Sequence, residues 1–452
     1  MKQQKERERV EEENENDPMG AVDFTKIFFT DINGRLMNLF VNPLMVDKMS
    51  KTGVGFDGSS IAGYTSVENS DRLLVPSLST YNEIDFGDKT VGFLIGDIYD
   101  EKGNPSGTDP RHLLKKVLKK AEKEFQVRFT VGPEHEFFLF NGESAAAGTD
   151  PEMCVLEHSD DIGYFVSSPT DKGESVRQDI VNVLAGCGIQ YEKTHHEVTP
   201  SQHEINLECT DALSAADRTL LFSYVAKQVA EKNGFTASFM PKPFENYNRN
   251  AFHIHLSMQD FEGNNLFYDA TSEHQLSDLA RYFIGGILKY ARETSIIMAS
   301  TVNSYKAYVM GKEAPVVRGW GLRNRSSMVR VPYTLSPEST RIELRNPDPA
   351  GNVYLQMAVL ISMGLAGMRE KLDCGMADKG SSYNKEHGLK VWDDDFLPRS
   401  FYEALVEAED SSFLKETMGE AIYKNMMTLK LKEWEEDRVH VTQREHNKYR
   451  DV

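Results

Sequence analysis

The sequence predicts an α+β fold, with a small β-rich N-terminal part followed by a larger part of strands and helices, and three observations carry that expectation. Lys26–Ile32 and Leu36–Val41 are strand-like runs around Asn33-Gly34, the dipeptide that favours a tight hairpin turn. At Asp109-Pro110 an Asp suited to an N-cap precedes a Pro suited to the first helical position. Leu113, Leu114, Val117, Leu118, Ala121 and Phe125 then recur at helical spacing opposite a Lys-rich face. Beyond this helix, short strands carry Glu, His and Arg at the polar positions of their alternation.

Taken in order, residues 1–18 hold four basic and seven acidic side chains, too little apolar surface to offset ordering entropy, and read as a disordered acidic tail. Strands around Asp71–Val75 and Val91–Ile98 continue the β-rich part, which places a domain at 19–107 and a second at 108–452. Ser214–Asn233 reads as an amphipathic helix with Ser214 as N-cap and Gly234 ending it. Met357–Met368 is nearly apolar for 12 residues, short of the ~20 that span a bilayer, and reads as a buried helix. The last ~50 residues read as helices with a charged, surface-facing end.

Lys and Arg total 51 against 70 Asp and Glu, a net charge of -19, which excludes a general nucleic-acid or anionic-membrane surface but leaves room for local basic pockets. Cys154, Cys187, Cys209 and Cys374 are scattered without CxxC, and the N-terminus lacks the apolar stretch of a secretory signal. A reducing cytoplasm is the expected compartment.

Four clusters carry chemistry. In GPEHEFFLF, Glu134 and Glu136 project from one strand face, either as a solvated face or around a cation. THHEVTPSQHEINL sets Glu197 and Glu204 on either side of a Pro-containing turn, near His195, His196 and His203, and FHIHLS puts His253 and His255 on one strand face. Carboxylates with a few imidazoles and no thiolates suit Mg²⁺ or Mn²⁺ better than structural zinc. RNRSSMVRVP and STRIELRNPDP supply Arg323, Arg325, Arg330, Arg341, Glu343 and Arg345. The alternating Arg-Glu-Arg is either an ion-pair ladder or, beside a carboxylate-metal cluster, a polyphosphate site of guanidinium forks and divalent cations. The second reading means phosphoryl transfer or hydrolysis. No P-loop occurs, and the G-x-G-x-x-G at Gly53–Gly58 lacks the strand-turn-helix setting that aims helix amides at a pyrophosphate.

Together these segments resemble type I glutamine synthetases from about Asp23 to Tyr449: TDINGRL, FDGSSIAGY, DPRHLLKK, GPEHEFFLF, GYF, HHEVTPSQHEINL, HIHLS, NSYK, GKEAP, RNRSSMVRVP and RIELRNPDP, in order. The resemblance implies a β-grasp domain, then a catalytic domain whose open antiparallel sheet forms a cavity flanked by helices. It implies rings, usually dodecamers, with active sites between subunits. By motif, Glu136, Glu197 and Glu204 would hold one divalent cation, and Glu134, His253 and Glu343 a second. Five carboxylates at -5 against two cations at +4 then accept an anion only with arginine help. Arg325, Arg330 and Arg341 would contact the phosphates of ATP, with Glu192, His255 and Ser257 on the nucleotide side. Arg345 would hold a substrate carboxylate beside Asn248 and Arg249. Asp57 from a neighbouring subunit, with Ser60, Tyr164 and Glu197, resembles the ammonium site, and Glu313 the flap that shields the intermediate. The implied reaction is ATP-dependent ligation of glutamate and ammonium through γ-glutamyl phosphate.

Three positions depart from the family pattern. Ala307 stands where an Arg usually follows NSYK, Arg249 stands at a glycine of N-G-S-G-M-H, and Cys209 stands where an aromatic commonly packs near the adenine. Either Arg249 supplies the guanidinium missing at Ala307, or the chain uses another carboxylate or amine, or it binds nucleotide and regulates without turnover.

Overall fold

The computed structural model describes residues 22–142, 157–309, 313–382 and 394–452. The chain divides into two compact units, Met1–His112 with Phe137–Ser238, and Leu113–Glu136 with Phe239–Val452. The acidic tail at 1–18 and Cys154 lie outside the described residues.

In the first unit β1 (Phe24–Thr30), β2 (Leu36–Val41), β3 (Val54–Asp57), β4 (Asp71–Asp85) and β5 (Thr90–Tyr99) form a sheet in the order β2-β1-β5-β4-β3. Only β1 and β5 run parallel in this sheet. The Asn33-Gly34 hairpin forms as its sequence predicts: Gly34 sits at φ 92°, and Asp31 Oδ1 accepts from Arg35 N at 2.8 Å. Ile27, Phe29, Leu74, Leu94 and Ile98 build the core on one face, joined by Val46 at the start of α1 (Val46–Thr52). Gly53–Gly58 runs along β3 into a short 3-10 turn at Gly58–Ser60, so no long helix follows the glycines.

α2 (Pro110–Phe125) starts where predicted, with Asp109 accepting from Arg111 N at 2.9 Å. The buried Arg111 guanidinium binds Asp97 of β5 at 2.7 Å and forks onto Asp217 at 2.9 and 2.7 Å. The long strand β6 (Arg128–Asn141) contributes residues to both units, changing at Glu136/Phe137. Within the first unit follow α3 (Glu174–Gly186), β7 (Tyr191–His196), β8 (Gln202–Leu207), β9 (Thr210–Asp211), α4 (Ala212–Lys232) and β10 (Phe235–Ser238), which pairs with residues 138–141. The α4 helix corrects the sequence reading: Asp211, not Ser214, is the N-cap, accepting from Leu213 N and Ser214 N at 3.1 and 3.0 Å. Both residue types cap well, and the earlier one adds nearly a turn, residues 212–214, in which Ala212 is buried.

In the second unit β11 (Phe252–Gln259), β12 (Trp320–Leu322), β13 (Val329–Val331) and β14 (Ile342–Leu344) join the first part of β6 in the order β12-β13-β14-β11-β6. The pairs are antiparallel except β12 with β13. Behind them lie α5 (Asp278–Tyr290) and α6 (Val353–Glu370), whose Met357–Met368 stretch is buried apart from Ser362, as the apolar run predicts. These two helices touch backbone to backbone, for a Cβ placed on Gly286 would stand 2.1 Å from Met363 O and 2.7 Å from Gly367 N. α7 (Phe401–Glu409), α8 (Ser412–Val439) and α9 (Gln443–Tyr449) end the chain, with residues 435–452 exposed.

Candidate functional site

Strand register assembles the second unit's charged cluster. His253 of β11 lies opposite Glu134 of β6, His255 lies opposite Glu343 of β14, and Arg330 of β13 lies opposite Glu343 in turn. Directly paired residues share a face, as do residues two apart, so Glu134, His253, His255, Ser257, Glu343 and Arg330 all stand on one side of the sheet. Gly132, opposite His255, leaves room there. The other side carries Val131, Ile254, Leu256, Val329, Val331, Ile342 and Leu344, all buried.

The hydrogen bonds sort these imidazoles. Arg341 Nε donates to His255 Nδ1 at 3.0 Å, which leaves the proton of His255 on Nε2, donating to Glu134 Oε1 at 3.0 Å. His255 therefore orients Glu134. His253 Nδ1 lies 3.1 Å from Glu134 Oε2 and 3.8 Å from Glu343 Oε1, while its Nε2 is buried with no hydrogen-bond partner. Burial, with the Arg345 charge, pushes the His253 imidazole down to about 4, so it is neutral at pH 7. Burial opposes ionisation of Glu134, but the His253 and His255 bonds outweigh it and hold its pKa well below the usual carboxylate range. Glu343 is fully buried, and the Arg345 charge overcomes that burial and draws it down to about 2. Arg330 Nη1 sits 2.6 Å from Glu343, and Arg345 Nη1 contacts it as well.

Two ionised carboxylates and a neutral imidazole converging at about 3 to 4 Å match the spacing of donors around a divalent cation with bonds of about 2.1 Å. Glu134, His255 and Glu343 also offer atoms within 4.8 Å of one another, but the Arg341 bond makes His255 a support for the carboxylate and His253 the better ligand. Glu136, whose Oε2 accepts from Ala251 N at 2.7 Å, belongs to the same unit.

In the first unit, β7 and β8 pair His195 with Glu204, and His195 Nε2 lies 3.8 Å from both Glu197 and Glu204. Glu197 and Glu204 therefore do flank a turn, with His195 making a second possible cation-holding group. A third group, Asp160, His196 and His203, resembles a metal site only by composition. Arg177 Nη1 faces His203 Nδ1 at 2.7 Å, which forces the proton onto Nε2 and removes that lone pair from any cation. Asp160 instead accepts from Ser201 N at 2.8 Å and pairs with His196 Nε2 at 3.1 Å, while His196 Nδ1 meets the Glu197 carbonyl at 2.6 Å. Tyr164 is 42% exposed and stacks on Phe165 at 3.9 Å, both rings lying against His195. Asp57 is exposed, and hydroxyls of Ser59 and Ser60 at 2.6 Å hold its carboxyl below the usual range. Glu192 is exposed on β7, and Cys209 is exposed between β8 and β9.

Two family models cover the chain, glutamine synthetase β-grasp domain at residues 21–101 and glutamine synthetase catalytic domain at 107–449. The chain belongs to the glutamine synthetase family. It is 39% identical to glutamine synthetase of Methanosarcina mazei over 423 residues, 92% of each chain, and 38% identical to that of Staphylococcus epidermidis over 448 residues, 98% of this chain and 97% of the relative. Among solved structures, GmaS in complex with ADP superposes with a TM-score of 0.84 at 29% identity, over 95% of this chain and 97% of that one. Plasmodium falciparum glutamine synthetase superposes at 0.82 and 25% identity, over 97% and 98%.

The remaining candidates of this glutamine synthetase family member lie in the second unit. Arg345 donates from Nε to the Arg325 carbonyl at 3.0 Å, with the Arg325 side chain exposed. Arg341 and Arg345 flank the three-residue strand β14 rather than lying within it. Asn248 is half-buried, and Glu313 is exposed directly after residues 310–312, which lie outside the described residues. Ala307 is buried, and Arg249 is buried too, donating to carbonyls of residues 345–347. Sequence reasoning missed Asp160, Arg177 and Tyr308. Arg177 meets His203, Asp160 meets Ser201 and Tyr308 meets Asn346 across 26 to 41 residues of chain, with no local motif to mark them.

Proposed function

We propose that the chain joins glutamate and ammonium to make glutamine at the expense of ATP. The observation that carries this reading is the buried sheet face on which Glu134, His253 and Glu343 meet beside Arg330, Arg341 and Arg345. Two divalent cations, Mg²⁺ or Mn²⁺, offset charge on ATP and on the transferred phosphoryl group when bound. Glu134, His253 and Glu343 hold one of them, and Glu197 and Glu204, with Glu136, hold the other. Arg325, Arg330 and Arg341 orient the phosphates, with Glu192, His255 and Ser257 on the nucleotide side.

Arg345, with Asn248, positions the acid. The γ-carboxylate oxygen attacks the γ-phosphorus, the bond to ADP breaks, and γ-glutamyl phosphate forms. Asp57 of a neighbouring copy, kept ionised by Ser59 and Ser60, takes a proton from ammonium beside Tyr164 and Glu197. Ammonia then attacks the acyl carbon and phosphate leaves. Glu313 closes over the intermediate and excludes water. Assembly is a cytoplasmic ring, a dodecamer by family habit, in which that neighbour completes each site.

One observation favours a second reading, a γ-glutamyl ligase taking another carboxylate or amine: Ala307 is buried where a carboxylate-binding Arg is usual in the family. Steady-state phosphate release separates them. Release that requires ATP, glutamate and ammonium together supports the first reading, whereas release with methylamine or a different acid, and none with glutamate and ammonium, transfers support to the second.

A further inference from the structure

Arg249 is a buried cation, and its guanidinium faces a peptide turn. Nη1 donates to the Asn346 and Pro347 carbonyls at 3.1 and 3.2 Å, and Nη2 donates to the Arg345 carbonyl. Three successive carbonyls thus converge on one planar fork, a geometry that an ammonium does not reproduce. Tyr308 adds its hydroxyl to the Asn346 carbonyl at 2.8 Å, and the Arg249 Cζ stands 5.8 Å from the Tyr308 ring. Arg345 and Asn346 are 4% and 2% exposed, so water does not substitute for these donors. The same segment is tied on its amide side by Arg345 N to the Met328 carbonyl at 2.9 Å and Asp348 N to the Met298 carbonyl at 3.0 Å. Phe252 N also donates to the Pro347 carbonyl at 3.1 Å, so Arg249 closes the carbonyl side of the turn together with Tyr308 and Phe252, and of these three it alone bonds the Arg345 carbonyl.

We infer that Arg249 is a positioning residue for the acid substrate: it holds the Arg345–Pro347 main chain so that the Arg345 guanidinium is presented in one place, and it does not itself touch the acid. This rests on the reading of Arg345 as the carboxylate-holding residue. It assigns the arginine at this position a role in acid affinity exerted through the backbone, and it leaves the nucleotide side, built on β11 and β13, unaffected.

The test uses the full chain as wild type, Arg249→Lys and Arg249→Gln, with KM for glutamate and for ATP measured alongside amide hydrogen exchange. Arg249→Gln is expected to raise the glutamate KM at least about ten-fold, the loss of a charge-assisted contact, with ATP KM within about two-fold and faster exchange confined to residues 345–350. Arg249→Lys, able to reach fewer carbonyls, falls between them. An unchanged glutamate KM overturns the inference. A raised glutamate KM with unchanged exchange means direct contact with the acid and overturns it too, as does a parallel rise of both KM values with exchange accelerated throughout the second unit. If the wild type turns over no glutamate, the proposed function falls separately, and the brace is then decided by exchange at 345–350 alone.

Discussion

Replacing Glu134 by Gln tests the cation-holding face with a change of one atom. The carboxylate accepts from His255 at one oxygen and faces His253 Nδ1 at the other, at 3.0 and 3.1 Å. Because Arg341 fixes the His255 proton on Nε2, the amide oxygen of Gln must turn toward His255. The amide NH₂ then points at His253 Nδ1 and drives its proton to Nε2, so the Nδ1 lone pair that faces the two carboxylates is taken up by a donor. One charge-assisted contact is lost, at about 1.5 to 3 kcal/mol, and a formal charge leaves the cation's surroundings. Cation affinity at this group should fall roughly ten- to over a hundred-fold. Mn²⁺ titration of the full chain, followed by electron paramagnetic resonance, should show one class of site weakened by that factor and the other retained. Two sites of unaltered affinity in Glu134→Gln would refute the tautomer reasoning as well as the assignment of Glu134.

Asp109 is buried, and burial with the nearby Asp97 charge raises its pKa to about 6 from 3.8. A raised folded-state pKa contributes stability fully present below pH 3.8 and lost as pH rises through about 6, a difference of about 3 kcal/mol, so urea midpoints of Asp109→Asn relative to wild type should climb between pH 4 and 7. A pH-independent difference, reflecting only the acceptor lost toward Ile98 N, would contradict this. Gly286→Ala drives a methyl into the Met363 carbonyl and should cost about 1 to 3 kcal/mol or more, read as a lowered thermal midpoint; an unchanged midpoint would mean the helices separate freely. Asp57→Asn should raise the ammonium KM by about ten-fold or more with little change in glutamate KM; equal effects on both would argue against an ammonium role.

Much of the site was legible because strand periodicity is strict: Glu134 with Glu136, and His253 with His255, needed only spacing two residues apart to be placed on one face. What spacing does not contain is the partner strand. The pairing of His255 with Arg341, 86 residues on, decides the tautomer and hence which imidazole suits a cation. Arg249 illustrates the same limit. Its place beside Asn248 suggests a guanidinium offered to the acid, and only the turn about 100 residues later shows it buried against main-chain carbonyls. The α4 start was misread for a local reason, since Asp211 and Ser214 are both good caps and only the observed bonds to Leu213 N and Ser214 N decide between them. Within the short strand β14 the ladder of alternating charge is real in phase, although its two arginines stand beyond the strand's ends.

The alternation along β11, β13 and β14 separates two kinds of failure. Ile254, Leu256, Val329, Ile342 and Leu344 face a packed interior, while His253, His255, Arg330 and Glu343 face the chemistry. A saturation screen scoring cellular abundance and turnover independently should therefore produce two signals out of step by one residue. Abundance would dip at the even positions of β11 and turnover at the odd ones. Lost turnover at the odd positions can then be read as lost chemistry, because the same peptide planes that carry the reactive groups are anchored from behind by residues that stay in place.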